Sequence, residues 1–240
     1  MKDLNISKKF TLINLIVTLL VLIMGYFVLN KYKNDLVDEV HNDVIANLKS
    51  LSEQRIKAKL EVGISNAISI ANDSSIKESL ANNDRELAIK TLANLSTSMK
   101  ESTPFQNIQI HLHTKDNRSF FRSWQPDKFG DDLSPFRPSV VKVNAEKKAV
   151  NGFEIGTTIG LGIRSVVPIF DSNKNHIGSL EFMQGLNSVA ISFDEEKRAF
   201  LLLMDLSLST KNVKEEDKLG KYLISQKFIN KDFLEDDKKI

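Results

Sequence analysis

A run of 20 residues without a charged side chain, residues 10–29, constrains the fold of this chain more than any other feature. As an α-helix it would be about 30 Å long, which matches the hydrocarbon core of a bilayer. A helix in a protein core rarely runs this long without a charge. A cleaved signal peptide normally has a shorter apolar stretch and a small-residue cleavage site, and none follows residue 29. The run therefore predicts an uncleaved transmembrane signal anchor over residues 10–30.

The charges beside this anchor predict its orientation. Residues 1–9 carry three lysines against one aspartate, whereas Lys31 and Lys33 on the other side are followed by three acidic side chains within residues 35–39. Because positive flanks favour the cytoplasmic side, we expect residues 1–9 to form a cytoplasmic tail and the rest of the chain to lie outside. No later apolar run is long enough for a second span.

The exported part is electrically balanced and lacks cysteine. The whole chain has 33 Lys and Arg against 31 Asp and Glu, and the small excess lies in residues 1–9. A balanced surface lacks the basic patch on which nucleic-acid affinity depends, so we expect no nucleic-acid partner. Without cysteine, disulfide scaffolds, zinc–thiolate sites and thiol nucleophiles are excluded.

Apolar residues at steps of three and four, from Leu36 to Ala71, predict one long helix over residues 31–71. Two shorter helices should follow, one ending at Ala81 and one over residues 85–100. A helix that leaves the membrane with an apolar stripe needs something to pack on. We expect either a globular domain or the same helix of a second chain, which would make a homodimer.

After Pro104 the pattern changes from helices to strands. A short helix is predicted at residues 139–146, after the second of five strand segments: residues 108–112, 119–124, 152–159, 161–170 and 177–184. Helices followed by antiparallel strands predict an α+β domain with one five-stranded sheet, covered on one face by helices. A helix over residues 186–197 and strands at 199–205 and 220–224 then open a second module.

The stretch SFFRSW, residues 119–124, carries the first candidate binding group. Strand alternation would place Phe120, Arg122 and Trp124 on one face. A guanidinium between two aromatic rings could bind a carboxylate through two parallel hydrogen bonds. Simple packing of an arginine against aromatic rings would give the same pattern.

Neighbouring charges could complete the site. Four of the seven arginines fall between residues 118 and 164, and Arg164 on another strand could point into the same hollow as Arg122. Asp131 and Asp132 could receive an ammonium group, or could instead be solvated in their loop or cap the helix near Ser139. A site of both signs would suit a zwitterion or a small organic acid, that is, a small polar or anionic metabolite.

The sequence offers little support for a metal or for catalysis. His111 and His113 face the same way on a strand, and two imidazoles with a carboxylate could hold a metal. Because no third ligand follows from spacing, we expect a polar sheet face, with no metal and no cofactor. The G-x-S-x-G, H-E-x-x-H and phosphate-loop motifs are absent, and Ser119 and Ser123 have no base at a defined spacing. We therefore expect no enzyme.

Two segments, HLHTKDNRSFFRSWQPDKFGDDLSPFR and NGFEIGTTIGLGIRSVVPIFDSNKNHIGSLEFMQGLNSV, carry a resemblance to a known family. Residues 31–240 resemble the double Cache sensing domains of methyl-accepting chemotaxis proteins and of related sensor kinases and diguanylate cyclases. The resemblance implies a PAS-like sheet in each module, ligand capture in the membrane-distal module and a homodimer along the long helix. The matching positions, pocket or fold candidates, are Arg122, Trp124, Phe129, Asp131, Arg137, Glu154, Arg164 and Glu181.

The expected organisation then has five parts: the tail (1–9), the transmembrane signal anchor (10–30), the long stalk helix and helical region (31–106), the sheet of the membrane-distal Cache module (107–186), and a linker helix with an incomplete membrane-proximal module (187–240). The expected function is small-molecule binding by the extracytoplasmic region of a chemoreceptor-like protein, in a bacterial inner membrane with most of the chain periplasmic. A membrane-anchored adaptor or structural stalk without a ligand stays open, as does the sensor region of a diguanylate cyclase or histidine kinase.

Overall fold

The structure is a computed structural model that describes residues 6–102, 109–156, 161–209 and 218–225. The helices are α1 (Ile6–Ala71), α2 (Ser74–Ala81), α3 (Arg85–Ser102), α4 (Pro138–Glu146) and α5 (Asn187–Glu195), with a 3-10 turn at Leu206–Leu208. The strands are β1 (Gln109–Thr114), β2 (Ser119–Arg122), β3 (Val150–Ile155), β4 (Leu161–Phe170), β5 (His176–Gln184), β6 (Leu203–Asp205), β7 (Lys218–Leu219) and β8 (Tyr222–Ile224). Parts of four predicted segments lie outside the described residues. They are residues 1–5 of the predicted tail, residues 103–106 at the end of the helical region, and the ends of two predicted strands, residue 108 and residues 157–159.

The predicted anchor and the predicted long helix form one element. Helix α1 contains 66 residues and is continuous through the apolar run. It is the one helix within the described residues that is long and apolar enough to cross a membrane, and none of its apolar window is buried in the protein. The chain divides into two units, residues 1–54 and residues 55–240. The first contains α1 up to Gln54, and the second contains the sheets and the remaining helices.

The second unit is built on a five-stranded antiparallel sheet of order β2-β1-β5-β4-β3. Two hairpins, β1–β2 and β4–β5, lie side by side, and β3 completes the far edge. The α+β architecture predicted from the sequence is confirmed. This order places β1, β5 and β4 in the interior of the sheet, so side chains on these strands are the ones most enclosed.

One face of the sheet is covered by the C-terminal part of α1 and by α2 and α3. Ala67, Ile76 and Leu92 from these helices pack with Leu112 and Leu180 of the central strands, and each is 0–1% exposed. The alternation of apolar residues in β1 and β5 supplies this face because successive side chains of a strand point to opposite sides. Helix α2 begins where Asp73 accepts hydrogen bonds from the backbone N–H groups of residues 75 and 76.

Helix α1 lies very close to the sheet at Gly63. A Cβ atom there would lie 2.2 Å from Nε2 of Gln184 and 2.5 Å from Oγ of Ser165. The Gln184 amide donates a hydrogen bond of 3.0 Å to the carbonyl of Lys59, one turn earlier in α1. A glycine at this position therefore allows helix and sheet to share a polar contact inside the packed layer.

A β-bulge corrects the predicted facing of the β2 side chains. The register between β1 and β2 shifts between Leu112 and His113, so two residues of β2 oppose one of β1. As a result Phe120 joins Phe121 in the apolar core under the helices. The prediction that Phe120 shares a face with Arg122 and Trp124 is wrong, because simple alternation does not pass through a bulge. Trp124 itself lies two residues beyond the end of β2, in a turn.

The opposite face of the sheet is covered by α4 and the loop before it. A smaller apolar cluster, formed by Leu133, Val140, Val143 and Val166, closes part of this side. Charged and polar side chains from the strands fill the remaining space. The last strands, β6, β8 and β7, form a separate three-stranded sheet.

Candidate functional site

Six buried polar side chains gather on the α4 face of the sheet, and we call them the polar cluster. They are His111, His113, Arg122, Arg137, Arg164 and Glu181, each at most 7% exposed. Strand register brings five of them together. His111 lies opposite Arg122 of β2 on one side and opposite Glu181 of β5 on the other, and His113 follows two residues later on the same face of β1. Arg164 of β4 lies opposite Met183, two residues along β5 from Glu181. Arg137 comes from the loop immediately before α4.

Glu181 is the centre of the polar cluster. Its side chain is fully buried, and one carboxylate oxygen, Oε1, accepts a hydrogen bond of 2.9 Å from Nη1 of Arg164. Burial acts to raise the pKa of the Glu181 carboxyl, but the charge of the Arg164 guanidinium acts against it, and the pKa lies well below its usual value. Glu181 is therefore a buried anion held by one guanidinium. Arg164 Nη1 also contacts the sulfur of Met183.

The two histidines are neutral and point at the other oxygen of Glu181. Nε2 of His111 lies 2.9 Å from the Ser119 hydroxyl, and Nδ1 of His113 lies 3.0 Å from the Ser179 hydroxyl. Their remaining ring nitrogens face Oε2 of Glu181 at 3.4 and 3.8 Å. Burial lowers the pKa of both rings, and the neighbouring His113 helps to lower that of His111 to about 3.

Arg122 is enclosed by the loop that follows it. Its guanidinium makes a bidentate pair with Asp131, with both distances 2.7 Å, and donates to the carbonyl of Lys128 at 2.7 Å. The predicted clamp between Phe120 and Trp124 is absent, because Phe120 lies in the core and Trp124 packs edge-on against His111, with ring centroids 5.6 Å apart. Asp131 occupies the place on Arg122 that we predicted for a ligand carboxylate.

The Arg122–Asp131 pair should make stability depend on pH in the acid range. The hydrogen bond from Arg122 holds the pKa of the Asp131 carboxyl below its usual value. The pair therefore contributes stability above the unfolded pKa of about 3.9, and loses it as the pH falls through the lower folded value. Asp131→Asn should cost about 1 kcal/mol at pH 7, since its side chain is one-third exposed.

A double-mutant cycle checks this prediction. Denaturant unfolding of wild type, Asp131→Asn, Arg122→Gln and the double variant should be measured at pH 7 and near pH 3. We expect a coupling free energy at pH 7 that shrinks in acid. Strictly additive effects at both pH values would mean that the two side chains do not stabilise the fold as a pair.

Arg137 and Glu154 form a second pair at the edge of the polar cluster. Nη1 of Arg137 lies 3.3 Å from Oε1 of Glu154, whose other oxygen accepts from the backbone N–H of Ser139 at 3.1 Å in the first turn of α4. Burial lowers the pKa of Arg137, and the nearby Arg164 adds to the effect. Nε of Arg137 and Nε of Arg164 are both buried without a hydrogen-bond partner among the described residues.

Two predicted candidates, Phe129 and Asp132, have no described hydrogen bond or ion pair with the polar cluster. Phe129 is 52% exposed, and its ring is covered by the guanidinium of Arg85, 3.3 Å from the ring centroid. Asp132 caps a turn by accepting from the N–H of Ser134 at 2.9 Å. Asp131 and Asp132 therefore do not form a joint ammonium site. The sequence did not point to Arg85, because it lies in α3, far along the chain from the two carbonyls to which it donates, those of Phe120 in β2 and Pro126 in the loop.

Two hollows of this unit lie away from the polar cluster. One, of about 260 Å³, lies between α1 and α5 and is lined by residues that include Arg55 and Ser188. The other, of about 430 Å³, lies among α1, α2 and α3 and is lined by residues that include Ser69 and Thr91. None of the predicted site residues lines either hollow.

Comparison with known families identifies the chain. Residues 42–233 match the family described as the double sensory domain of two-component sensor kinases, one of the double Cache families. The chain belongs to this double Cache family. The resemblance stated from the motifs at residues 111–189 is thereby confirmed, and the five-stranded antiparallel sheet is consistent with a Cache module. A comparison with curated proteins gives no match.

Solved sensor domains resemble this double Cache chain at low sequence identity. The sensor domain of the V. cholerae histidine kinase DctB superposes with a TM-score of 0.50 at 15% identity, over 63% of this chain and 58% of that domain. The E. coli DcuS sensor domain gives 0.45 at 14% identity, over 57% of this chain and 96% of that domain. A domain of a sensory box/GGDEF family protein from Vibrio parahaemolyticus gives 0.45 at 15% identity, over 70% and 68%. The DctB likeness shows a shared fold.

Proposed function

We propose that this chain is the extracytoplasmic sensory region of a transmembrane signalling protein, and that its polar cluster binds a small anionic metabolite. The observation that carries the proposal is a pair of buried guanidinium groups, on Arg137 and Arg164, each with an N–H donor that has no partner among the described residues. A buried donor without a partner costs free energy, and an anion that reaches it recovers that cost.

The charges of the polar cluster support a small ligand. Arg122, Arg137 and Arg164 are each paired with one carboxylate, and both histidines are neutral. The formal charges of the site therefore cancel before a ligand binds. An anion would be held by directed hydrogen bonds and not by a large excess of positive charge. Arg137 is the best candidate for first contact, because its bond to Glu154 is the longest of the three pairs and lies at the edge of the sheet.

The anchor gives the proposal its location. The exposed apolar face of α1 supports a membrane-spanning segment, and the lysines of residues 1–9 support a cytoplasmic tail. We place the sheet on the periplasmic side of a bacterial inner membrane. In this proposal the polar cluster of the sheet serves sensing and not catalysis. The homodimer along the long helix stays a prediction.

Output through a histidine kinase is the alternative that the family description favours, since that family is named for two-component sensor kinases. The chemoreceptor output that the motif resemblance implied stays a prediction, as does a diguanylate cyclase. A reading with no ligand at all, an adaptor or stalk, is an outcome of the experiment below.

The proposal is tested by ligand-linked stabilisation. The full chain in detergent micelles, with EDTA present, is heated against a panel of mono-, di- and amino-carboxylic acids. A true ligand should stabilise the chain progressively with concentration, by about 2.7 kcal/mol at one hundred times its dissociation constant. Arg137→Gln should lower the affinity at least about tenfold, because it removes a charge-assisted hydrogen bond.

The matched control is Arg118→Gln, which changes an arginine of the connection between β1 and β2 whose side chain is 55% exposed. It should respond to the ligand as wild type does. A ligand whose effect survives Arg137→Gln would move the site away from the polar cluster. No stabilisation by any acid of the panel would favour the adaptor or stalk.

A further inference from the structure

Three buried polar atoms face one another inside the polar cluster. Nδ1 of His111, Nε2 of His113 and Oε2 of Glu181 are buried, and none has a hydrogen-bond partner among the described residues. These three atoms lie within 4.8 Å of one another. Buried polar atoms normally find a partner, so a cluster of three that face each other requires an explanation.

Hydrogen bonds between the three groups do not explain the geometry. The distances from the two ring nitrogens to Oε2 of Glu181 are 3.4 and 3.8 Å. Hydrogen bonds from N–H to O are normally about 2.7–3.2 Å long. In a tetrahedral metal site with bonds of about 2.0–2.1 Å, in contrast, neighbouring ligand atoms lie about 3.4 Å apart. The distances from the ring nitrogens to Oε2 of Glu181 therefore fit three ligands around one ion better than direct hydrogen bonds between the rings and the carboxylate.

The surroundings can hold each group in the state that a metal ligand needs. The hydroxyls of Ser119 and Ser179 lie within hydrogen-bond distance of the far nitrogens of His111 and His113, and an N–H on that side leaves the near nitrogen as a bare lone pair. Arg164 binds Oε1 of Glu181, which fixes the carboxylate and leaves Oε2 available. Such outer hydrogen bonds are the usual support of histidine and carboxylate ligands.

We propose that His111, His113 and Glu181 bind a divalent transition-metal ion, with zinc as the natural probe. Two imidazoles, one carboxylate and a fourth open position make up a donor set that zinc accepts. The ion would leave the polar cluster with a net positive charge, since its three guanidinium–carboxylate pairs are already balanced. Its fourth position therefore suits water or an anion. This site stands on the histidine–carboxylate geometry and does not depend on the proposed metabolite.

The experiment uses the full chain purified in detergent, stripped with EDTA and dialysed. Zinc is added in slight excess, unbound zinc is removed by desalting, and the retained metal is measured by mass spectrometry. We expect about one zinc per chain. Cobalt(II) added to a second stripped sample should give the intense visible absorption of a four-coordinate site, which the hexa-aquo ion lacks.

Variants locate the site. His113→Gln should reduce retained zinc to background, whereas His176→Gln, which changes another histidine within the second unit, should keep it. Ser179→Ala keeps all three ligands but removes the hydroxyl beside His113, and should weaken zinc binding about 10–100-fold. Circular dichroism checks that each variant is folded. If His113→Gln does not fold, Ser179→Ala and the cobalt spectrum of wild type still decide the question.

The proposal is overturned if stripped wild type retains no zinc and its cobalt spectrum is that of the aquo ion. It is also overturned if His176→Gln loses as much zinc as folded His113→Gln does. Because the metal is tested alone and the metabolite panel is run in EDTA, failure of one proposal leaves the other standing.

Discussion

Arg164→Ala should destabilise the chain by about 3–5 kcal/mol, because it leaves the fully buried carboxylate of Glu181 without its partner. The hydrogen bond of 2.9 Å between them is the one direct bond from a guanidinium to Glu181 among the described residues. Guanidinium chloride unfolding, followed by the fluorescence of the single tryptophan, Trp124, measures the loss.

Two further variants separate charge from packing. Arg118→Ala removes an exposed pair with Asp116 and should cost less than about 1 kcal/mol. The double change Arg164→Met with Glu181→Leu should recover most of the stability, since well-packed apolar residues often replace a buried ion pair at little cost. If the double variant is as unstable as Arg164→Ala, the loss comes from packing and not from an uncompensated charge.

Gly178→Ala should cost about 3 kcal/mol, near the upper end of what overpacking a filled interior normally costs. A Cβ atom at Gly178 in β5 would lie 2.2 Å from the carbonyl oxygen of His113 in the neighbouring strand β1. Backbone atoms in the middle of a sheet cannot move aside as the end of a long side chain can. The two strands would have to separate where the sheet carries His113.

Gly152→Ala is the matched control for this prediction. Gly152 lies in edge strand β3, and a Cβ atom there would meet nothing within 4 Å. Its replacement should leave the denaturation midpoint nearly unchanged or raise it slightly, because alanine has less chain entropy to lose than glycine. Equal losses for the two variants would show that the close contact with His113 is not what excludes a side chain at Gly178.

Periodicity predicted the parts of the fold that depend on one strand or helix at a time. Steps of three and four predicted α1 and α3, and alternation predicted the strands of the sheet to within a few residues. The α+β class followed from their order. The pattern did not show that the anchor and the long helix are one element, because the apolar run and the amphipathic pattern give separate signals and neither shows whether the helix continues between them.

What the sequence could not predict depends on contacts between distant strands. Glu181 lies 70 residues after His111, and only the register of β5 against β1 makes it a third neighbour of the two histidines. The facing of Phe120 depends on a bulge, which local alternation does not encode. The loop that returns Asp131 to Arg122 likewise pairs a guanidinium that we predicted as a binding group for a ligand carboxylate.

Strand β5 serves both layers of the unit at once. Glu181 projects from it into the charged layer, while Gln184, three residues later, bonds the backbone of α1 through the opposite face. Because the strand is nearly inextensible between these two residues, sliding it in register by even a fraction of an ångström moves both ends together. The carboxylate and the α1 backbone are thus joined through residues 181–184 of one strand, with no loop in between.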